Sequence, residues 1–335
     1  MSSAADLDPD TEEGCAPPRE IEDLFGHDAA WDAFEQARQS QRMHHAWMIT
    51  GPKGVGKASL AYKAAVSLLG ETRGLEAAAR KVRAKSHPNL LTINRPWDEK
   101  RKRWRAEITI DEVRRVPDFF SRSAGEPGWR IAIIDSMDEF NRNAANGLLK
   151  TLEEPPERGL LFLVTHSPGR LLPTIRSRCR HLELRAPEVE ETADWLVRRQ
   201  GIDSGKANSV SMLAKGAPGR ALAFLHSGAL DLEQDVRNLL DRLPNWDQKS
   251  SRRLAARVSA RGAEGLRPQF FASLSRNAAR LAKERAIEGL PPDAWLTARL
   301  EIEKLAGETQ GLYLDTKQAA LSALAHMEKA AREAR

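Results

Sequence analysis

The stretch WRIAIIDSMDEFNRNAANGLLKTLEEPPERGLLFLVT, residues 129–165, decides the fold. It contains a predicted strand, residues 130–134, which is apolar after Arg130 and is followed by Asp135, and it closes with a second mostly apolar run, residues 160–165. Continuous apolar runs of this length indicate strands that are covered on both faces, as in a parallel sheet. A helix is predicted between them, because apolar residues share one face until Pro155 ends it: Ala145, Leu148, Leu149 and Leu152. The stretch therefore predicts a β-α-β unit with an acid at the end of its first strand.

A glycine-rich loop, GPKGVGKAS at residues 51–59, lies upstream of this unit. It follows the apolar run 46–50 and precedes a predicted helix, residues 60–69. The spacing G-x-x-x-x-G-K is that of a phosphate-binding loop, whose glycines let backbone N–H groups surround phosphate oxygens while the lysine reaches the terminal phosphates. The sequence therefore predicts a P-loop α/β domain. Its candidate nucleotide-binding residues are Gly51, Gly54, Gly56, Lys57 and Asp135.

Two positions depart from a nucleotide-hydrolysing site. Ala58 follows Lys57 where Ser or Thr ordinarily binds magnesium, and Ser59 lies about 100° further round the helix. Ser136 follows Asp135 where a glutamate ordinarily positions water. Phosphoryl transfer depends mostly on the metal and on the positioned water, so we predict poor hydrolysis or none. ATP or ADP is expected to bind weakly, and magnesium is expected to bind poorly.

The run NRNAANGLLKTLEEPP, the strand after it and LLPTIRSRCRHLEL, residues 171–184, resemble the clamp-loader branch of AAA+ ATPases. A chain that lacks the hydroxyl at position 58 and the glutamate at position 136 but keeps Ser177-Arg178-Cys179 most resembles the family of bacterial delta-prime subunits of DNA polymerase III. Motifs carry the resemblance over residues 21–225, and helical character and length alone carry it over the remainder. The resemblance implies an AAA+ P-loop domain with a parallel sheet and flanking helices, a small helical lid and an all-α C-terminal collar.

The resemblance also implies roles for single residues. Arg178, with Ser177 and Cys179 as its motif, would act in trans on ATP held by a neighbouring subunit, and a planar guanidinium suits a terminal phosphate in transit. A surface ion pair is the alternative for Arg178. Thr165 and Arg220 match the two sensor positions of the family, the second of them on the lid. A plain strand-end threonine and an exposed arginine at a helix start are the alternatives.

The partners implied by the resemblance are the tau/gamma and delta clamp-loader subunits, the sliding clamp, and primed DNA through the assembled complex. The predicted function is that of a delta-prime-like subunit in DNA replication that hydrolyses ATP poorly or not at all. The competing interpretation is an active motor ATPase, either a tau/gamma-type loader subunit or a relative of the branch-migration helicases. A scaffold with no role at a neighbour's site is a third. Ala58 and Ser136 favour the first interpretation over the active motor.

The distribution of charge and the positions of helix-breaking residues divide the chain into four predicted segments. The formal net charge is +5, but residues 1–20 contain six acids against Arg19 alone, which predicts a disordered acidic tail. Residues 21–187 are predicted as the nucleotide-binding-like domain and residues 188–228 as the lid. Residues 231–335 contain amphipathic helices broken at Pro244 and at two glycine-containing stretches, and they predict an oligomerisation collar.

Several classes of protein and of site are not expected. Cys15 and Cys179 are the only cysteines, too few for a disulfide framework or a four-cysteine zinc site. The N-terminus lacks the apolar core of a signal peptide, and no run approaches the roughly 18 apolar residues of a membrane span. A cytoplasmic protein without zinc is the expectation. His44 and His45 are adjacent, and neighbouring residues on a strand point to opposite faces, so we assign them no metal or catalytic role. They are interpreted as structural residues or as contacts near a nucleotide base.

Residues 73–105 form the most basic segment, with eleven Lys and Arg against three acids, and Trp97 and Trp104 lie among them. Residues 90–94 and 104–110 are predicted as strands around a charged turn, residues 98–103. Basic residues with aromatics can bind single-stranded nucleic acid, whereas a solvated hairpin is the favoured alternative. Asp111 is predicted to cap the helix that follows.

Overall fold

The computed structural model describes residues 9, 11, 14–20, 23–40, 42–122, 125–263, 265–311 and 315–334. The chain divides into two compact units, Met1–Ala223 and Phe224–Arg335. Most of the predicted acidic tail lies outside the described residues. Its last part, residues 14–20, is described and ends in a short 3-10 helix, Pro18–Glu20.

The strands of the first unit form one five-stranded parallel sheet and one two-stranded hairpin. In chain order the strands are β1 (Ala46–Thr50), β2 (Leu90–Ile93), β3 (Trp97–Asp98), β4 (Arg103–Trp104), β5 (Arg130–Asp135), β6 (Gly159–Thr165) and β7 (Arg180–Glu183). The sheet has the order β2-β5-β6-β1-β7, and β3 pairs with β4. The predicted α/β fold class with a parallel sheet is confirmed.

Helices cover both faces of this sheet. In chain order those before β7 are α1 (Asp28–Gln39), α2 (Lys57–Arg73), α3 (Leu75–Arg83), α4 (Ile110–Ser121), α5 (Arg142–Glu153) and α6 (Pro173–Arg176). Alternate residues of β5 point to opposite faces, so that Ile131 and Ile133 pack with α1 to α3 whereas Ala132 and Ile134 pack with α4 and α5. Because both faces are covered, β1 and β6 are buried along their whole length and have no polar side chain before the threonine that ends each of them.

The β-α-β unit predicted from residues 129–165 is present as β5, α5 and β6. The two strands are parallel neighbours, with Asp135 beside Val164. Asn141 caps α5, because its side chain accepts a hydrogen bond from the backbone N–H of Ala144. The acid at the end of β5 therefore stands at the carboxyl edge of the sheet, where β1 also ends.

Two local predictions were wrong. Residues 90–94 and 104–110 do not pair with each other: β2 joins the main sheet beside β5, and the hairpin is made by β3 and β4 instead. Asp111 does not cap α4, because the helix begins one residue earlier, at Ile110, with Thr109 at the cap position. Thr109 makes no side-chain cap hydrogen bond.

In the described part of the chain after β7, every element of regular secondary structure is a helix. The helices are α7 (Val189–Gln200), α8 (Ser204–Ala214), α9 (Pro218–His226), α10 (Ala229–Leu240), α11 (Gln248–Ser259), α12 (Leu266–Ile287), α13 (Asp293–Gly311) and α14 (Thr316–Glu333). The second unit has its own apolar core, which includes Phe270, Trp295 and Met327. The division into a lid and a collar stays a prediction. Among the described helices, none has both the length and the apolar character needed to cross a membrane.

Candidate functional site

A cavity of about 160 Å³ opens at the carboxyl edge of the sheet, beside the ends of β1 and β5. The phosphate-binding loop supplies residues 53–57 to its wall, and the start of α2 supplies Ala58 and Ser59. Asp135 lines it from the end of β5, and Arg199 and Gly219 line it from α7 and α9. The structure therefore brings four of the predicted nucleotide-binding residues together: Gly54, Gly56, Lys57 and Asp135.

Two glycines of the loop lie so close to neighbouring backbone that a side chain would not fit at either position. Gly54 has a φ of +75°, and a Cβ there would stand 2.6 Å from the backbone nitrogen of Arg220. The backbone N–H of the preceding residue, Gly219, donates a hydrogen bond of 2.9 Å to the carbonyl oxygen of Gly54. At Gly51 a Cβ would clash with the carbonyl oxygen of Leu184. The loop is thus held between the chain after β7 and the first turn of α9.

Lys57 is buried and its ammonium group lies against its own loop. The Nζ atom donates to the carbonyl oxygens of Gly51 and Pro52, at 2.8 and 2.7 Å. This places a fixed positive charge at the start of α2, where the helix dipole already favours an anion. Ala58, the next residue, brings no hydroxyl to the cavity, and Ser59 lines the same wall one step further round α2.

Asp138 connects the loop after β5 to the loop after β6, and sequence reasoning missed this role. Its carboxylate accepts hydrogen bonds from the Thr165 hydroxyl at 3.1 Å and from the backbone N–H groups of His166 and Ser167 at 2.8 Å each. The hydroxyl of Thr165, the predicted first sensor, is therefore bound to a carboxylate and fully buried. No sequence signal distinguishes Asp138 from the neighbouring Glu139, because both follow the end of β5 in the same 3-10 turn.

Arg220, the predicted second sensor, lies in the first turn of α9 close to Gly54, but Arg199 on α7 lines the cavity instead. The guanidinium of Arg199 lies 5.6 Å from the centroid of the Trp195 ring, within the range of a cation–π contact. Trp195 in turn stacks on Phe25, with ring centroids 5.2 Å apart. The sequence alone did not indicate Arg199, because it lies in an ordinary amphipathic helix.

Arg178 is not among the residues that line this cavity. Its guanidinium contacts Glu153 at 2.9 Å and donates to the carbonyl oxygen of Thr174 at 3.0 Å, and 36% of the side chain is exposed. The ion pair required by the alternative interpretation of Arg178 is thus present. Ser177 donates to the same Thr174 carbonyl, and Cys179 donates to Ile175. Burial raises the pKa of the Cys179 thiol to about 12, so the side chain stays protonated and packs as a small apolar group.

His27 supports the loop from the chain before α1, and sequence reasoning did not identify it. Its Nε2 atom lies 2.6 Å from the carbonyl oxygen of Val55. A carbonyl only accepts, so Nε2 carries the hydrogen and donates it. Burial lowers the pKa of His27 below its ordinary value, and the bond to Val55 opposes that shift in part. The ring is therefore neutral at neutral pH, and its hydrogen bond holds the backbone of the loop at Val55.

We expect acid to destabilise the first unit through His27. A histidine whose folded pKa is depressed binds its proton in the unfolded chain first, so stability is lost as pH falls from about 6.5 towards the folded pKa. Urea unfolding measured from pH 8 to pH 5 should show this loss, and His27→Gln should make the dependence shallower. His226→Gln is the control, because His226 is exposed. Equal pH dependence in wild type and His27→Gln would contradict the assignment.

The side chains of His44 and His45 contact backbone carbonyl oxygens. Their rings stack with centroids 4.4 Å apart, and Nε2 of His45 donates to the carbonyl oxygen of Leu152 at 3.1 Å. Burial lowers the pKa of His45. Across the part of the chain that the structure describes, no group of three or more His, Cys, Asp and Glu side chains is placed to hold a metal ion.

Comparison with known proteins matches part of the chain to subunits of DNA polymerase III. The family model described as "DNA polymerase III, delta subunit" matches residues 26–188. The delta-prime subunit of DNA polymerase III from Pseudomonas aeruginosa is 32% identical over 181 residues, which are 52% of this chain and 53% of the relative. The delta-prime subunit from Escherichia coli is 33% identical over 56% of each chain. The tau subunit from Escherichia coli is 28% identical over 60% of this chain and 31% of the relative.

The chain spans about half the length of the delta-prime relatives that it matches. The residues matched by the family model, 26–188, lie within the first unit and contain the phosphate-binding loop, Asp135 and the Arg178 turn. Over residues 26–188, the chain is similar to the DNA polymerase III delta-prime subunits.

Proposed function

We propose that this chain acts as a delta-prime-like subunit of a DNA polymerase III clamp loader, and that it hydrolyses ATP poorly or not at all itself. In this proposal Arg178 is supplied to ATP that a neighbouring ATPase subunit holds. The observation that carries the proposal is a preserved phosphate-binding loop beside two missing catalytic groups. Gly54 and Lys57 line the cavity, whereas Ala58 and Ser136 stand where a magnesium-binding hydroxyl and a water-positioning carboxylate are needed.

The residues of the cavity are suited to binding the phosphates of ATP or ADP, and they are poorly suited to catalysing hydrolysis. The loop around Gly54 forms a cradle that a Cβ would fill, and the Lys57 ammonium lies at its end. These groups would hold phosphate oxygens. Ser136 is fully buried, and its hydroxyl has no hydrogen-bond partner among the described residues. A buried serine cannot accept a proton from water as a carboxylate does, so the residues present supply binding but no base.

The proposed partners are the tau/gamma and delta subunits, the sliding clamp, and primed DNA reached through the assembled complex. The tau subunit of Escherichia coli is a relative of this chain, which supports a shared architecture for neighbouring subunits. The second unit, with its apolar core and five long helices in the described residues, offers surface for assembly and carries no catalytic motif. Arg178 lies on the surface of the first unit, where a neighbour could reach it.

The purified chain alone is expected to release phosphate from ATP at well under 1 s⁻¹, about the low end of ordinary enzyme rates. The reason is the absence of a hydroxyl at position 58 and of a carboxylate at position 136. Phosphate release with magnesium measures this, and titration with a fluorescent ADP, with and without magnesium, measures binding separately. Ala58→Thr should strengthen the effect of magnesium on binding without restoring turnover.

Lys57→Ala is the control for this measurement, since it removes the ammonium that would reach the phosphates. Turnover near or above 1 s⁻¹ that disappears in Lys57→Ala would overturn the proposal and favour an active motor ATPase. Turnover that survives in Lys57→Ala belongs to a contaminating enzyme, and the preparation is then repeated until the two proteins can be compared.

A further inference from the structure

The hairpin of β3 and β4 has no part in the cavity or in the turn of Arg178. The cross-strand pair Trp97 and Trp104 meets edge to face, with ring centroids 5.2 Å apart and an interplanar angle of 74°. Both rings are partly exposed. Such a pair stabilises a hairpin, and it also presents aromatic surface to solvent.

The two faces of the hairpin differ in chemistry. Side chains alternate along a strand, so Trp97 and Trp104 share one face whereas Asp98 and Arg103 share the other. Arg105 follows Trp104 and lies on the face of Arg103. The loop between the strands, residues 99–102, is exposed.

The acids of the hairpin are already engaged. The Asp98 carboxylate accepts from the backbone N–H groups of Lys100 and Arg101, at 3.0 Å each, and closes the turn. Glu99 pairs with Lys102 at 2.8 Å. The hydrogen bond and charge of Lys102, and then a hydrogen bond from Trp97, lower the pKa of Glu99. Within the described residues Lys100 and Arg101 make no ion pair, and residues 98–105 carry five cations against two acids.

We propose that the tryptophan face of this hairpin and its loop cations bind single-stranded nucleic acid directly. Bases stack on Trp104 and on the exposed part of Trp97, and the phosphates lie against Lys100 and Arg101. Base–aromatic stacking accepts any sequence, and loop cations follow a phosphate backbone, so the site is expected to bind without sequence preference. The inference does not depend on the proposed function, because it uses none of the cavity residues.

A single strand fits these groups better than a duplex does. Bases in a duplex are stacked on one another and present no free face to a tryptophan, whereas unpaired bases do. An acidic peptide would satisfy Lys100 and Arg101 but would leave the aromatic face without a specific partner. The combination of a partly exposed aromatic pair with cations at one end therefore favours single-stranded nucleic acid.

The test uses the full chain and a fluorescein-labelled oligothymidylate, with fluorescence anisotropy as the readout at low and rising salt. Arg101→Ala should weaken binding and reduce the salt slope by about 0.7, the value for one phosphate contact on a single strand. Trp104→Ala should weaken binding about 5- to 150-fold, the range for losing one stacked base. Arg105→Ala is the matched control, because it removes one exposed arginine from the opposite face of the same hairpin.

Trp104→Phe protects the test against a hairpin that fails to form, since phenylalanine keeps an aromatic cross-strand pair. It should bind more tightly than Trp104→Ala, and the tryptophan quenching seen on adding oligothymidylate should shrink in it. One contrary result is that Arg101→Ala and Arg105→Ala weaken oligothymidylate binding equally while Trp104→Ala leaves it unchanged. That result would mean that the hairpin contributes only non-specific charge, and it would overturn the proposal. Tighter binding of duplex DNA or of an acidic peptide than of oligothymidylate would also overturn it.

Discussion

Arg178→Ala is expected to lower DNA- and clamp-stimulated ATP turnover by an assembled clamp loader that contains this chain, while the chain stays folded. An arginine supplied in trans is worth roughly 10³–10⁵ in rate at the site that it serves in well-studied nucleotide hydrolases. In a ring with several active sites one site alone would lose its arginine, so turnover of the whole complex should fall in part. Gel filtration must first show that the mutant complex has assembled.

Glu153→Ala separates this role from a structural one. The side chain of Glu153 pairs with Arg178 at 2.9 Å, and such an exposed pair contributes about 0–1 kcal/mol to stability. If Arg178 served only to hold Glu153, the two alanine variants would behave alike. We expect Glu153→Ala to keep turnover and Arg178→Ala to lose it.

Arg178→Lys should restore turnover only partly, because lysine lacks the planar donor pair of a guanidinium. Arg170→Ala, at another exposed arginine of the same unit, controls for the loss of one surface charge. Wild-type turnover and clamp loading in a fully assembled Arg178→Ala complex would reduce Arg178 to a surface residue.

Phe162→Ala is expected to destabilise the first unit by about 3–5 kcal/mol, out of the roughly 5–15 kcal/mol that holds a domain folded. Phe162 lies on β6, in the middle of the sheet, and is 1% exposed. Its ring centroid lies 5.9 Å from that of Phe34 on α1. The substitution removes both the buried apolar surface and this ring contact, and leaves a cavity between the sheet and α1. Urea unfolding followed by circular dichroism and tryptophan fluorescence measures the loss.

Phe162→Leu should cost less than Phe162→Ala, because most of the volume is kept. Leu75→Ala is the surface control: Leu75 is 59% exposed on α3, so the change should stay within about 0.5 kcal/mol. A loss for Phe162→Ala no larger than that for Leu75→Ala would mean that β6 is not the centre of the core.

The β-α-β unit and the phosphate-binding loop could be predicted because each depends on neighbouring residues. The runs at residues 131–134 and 160–164 are apolar and favour strands whichever strand they pair with. The shape of the loop from Gly51 to Lys57 depends on the residues of the loop itself. The pairing of β2 could not be predicted in the same way. Residues 90–93 could lie beside any apolar strand, and the choice of β5 is made by packing across the whole unit.

The candidate site was predictable where a motif carries it and was missed where tertiary contacts build it. Gly54, Gly56, Lys57 and Asp135 come together as the motif implies. His27 and Arg199 reach the loop and the cavity from other elements, and their spacing in the sequence contains no trace of that. The contribution of Arg178 to a neighbour's ATP stays a prediction, because one chain contains only half of such a site.

The strand order also fixes when the sheet can close while the chain is being made. Strand β1 is hydrogen-bonded between β6 and β7, and its partner Leu161 on β6 is synthesised roughly 115 residues after Ala46. At about 5–20 residues per second, the ribosome delivers that partner roughly 6–23 s later. During this interval the apolar residues Trp47 to Ile49 have no strand beside them, and binding by a chaperone or by another nascent chain competes with folding.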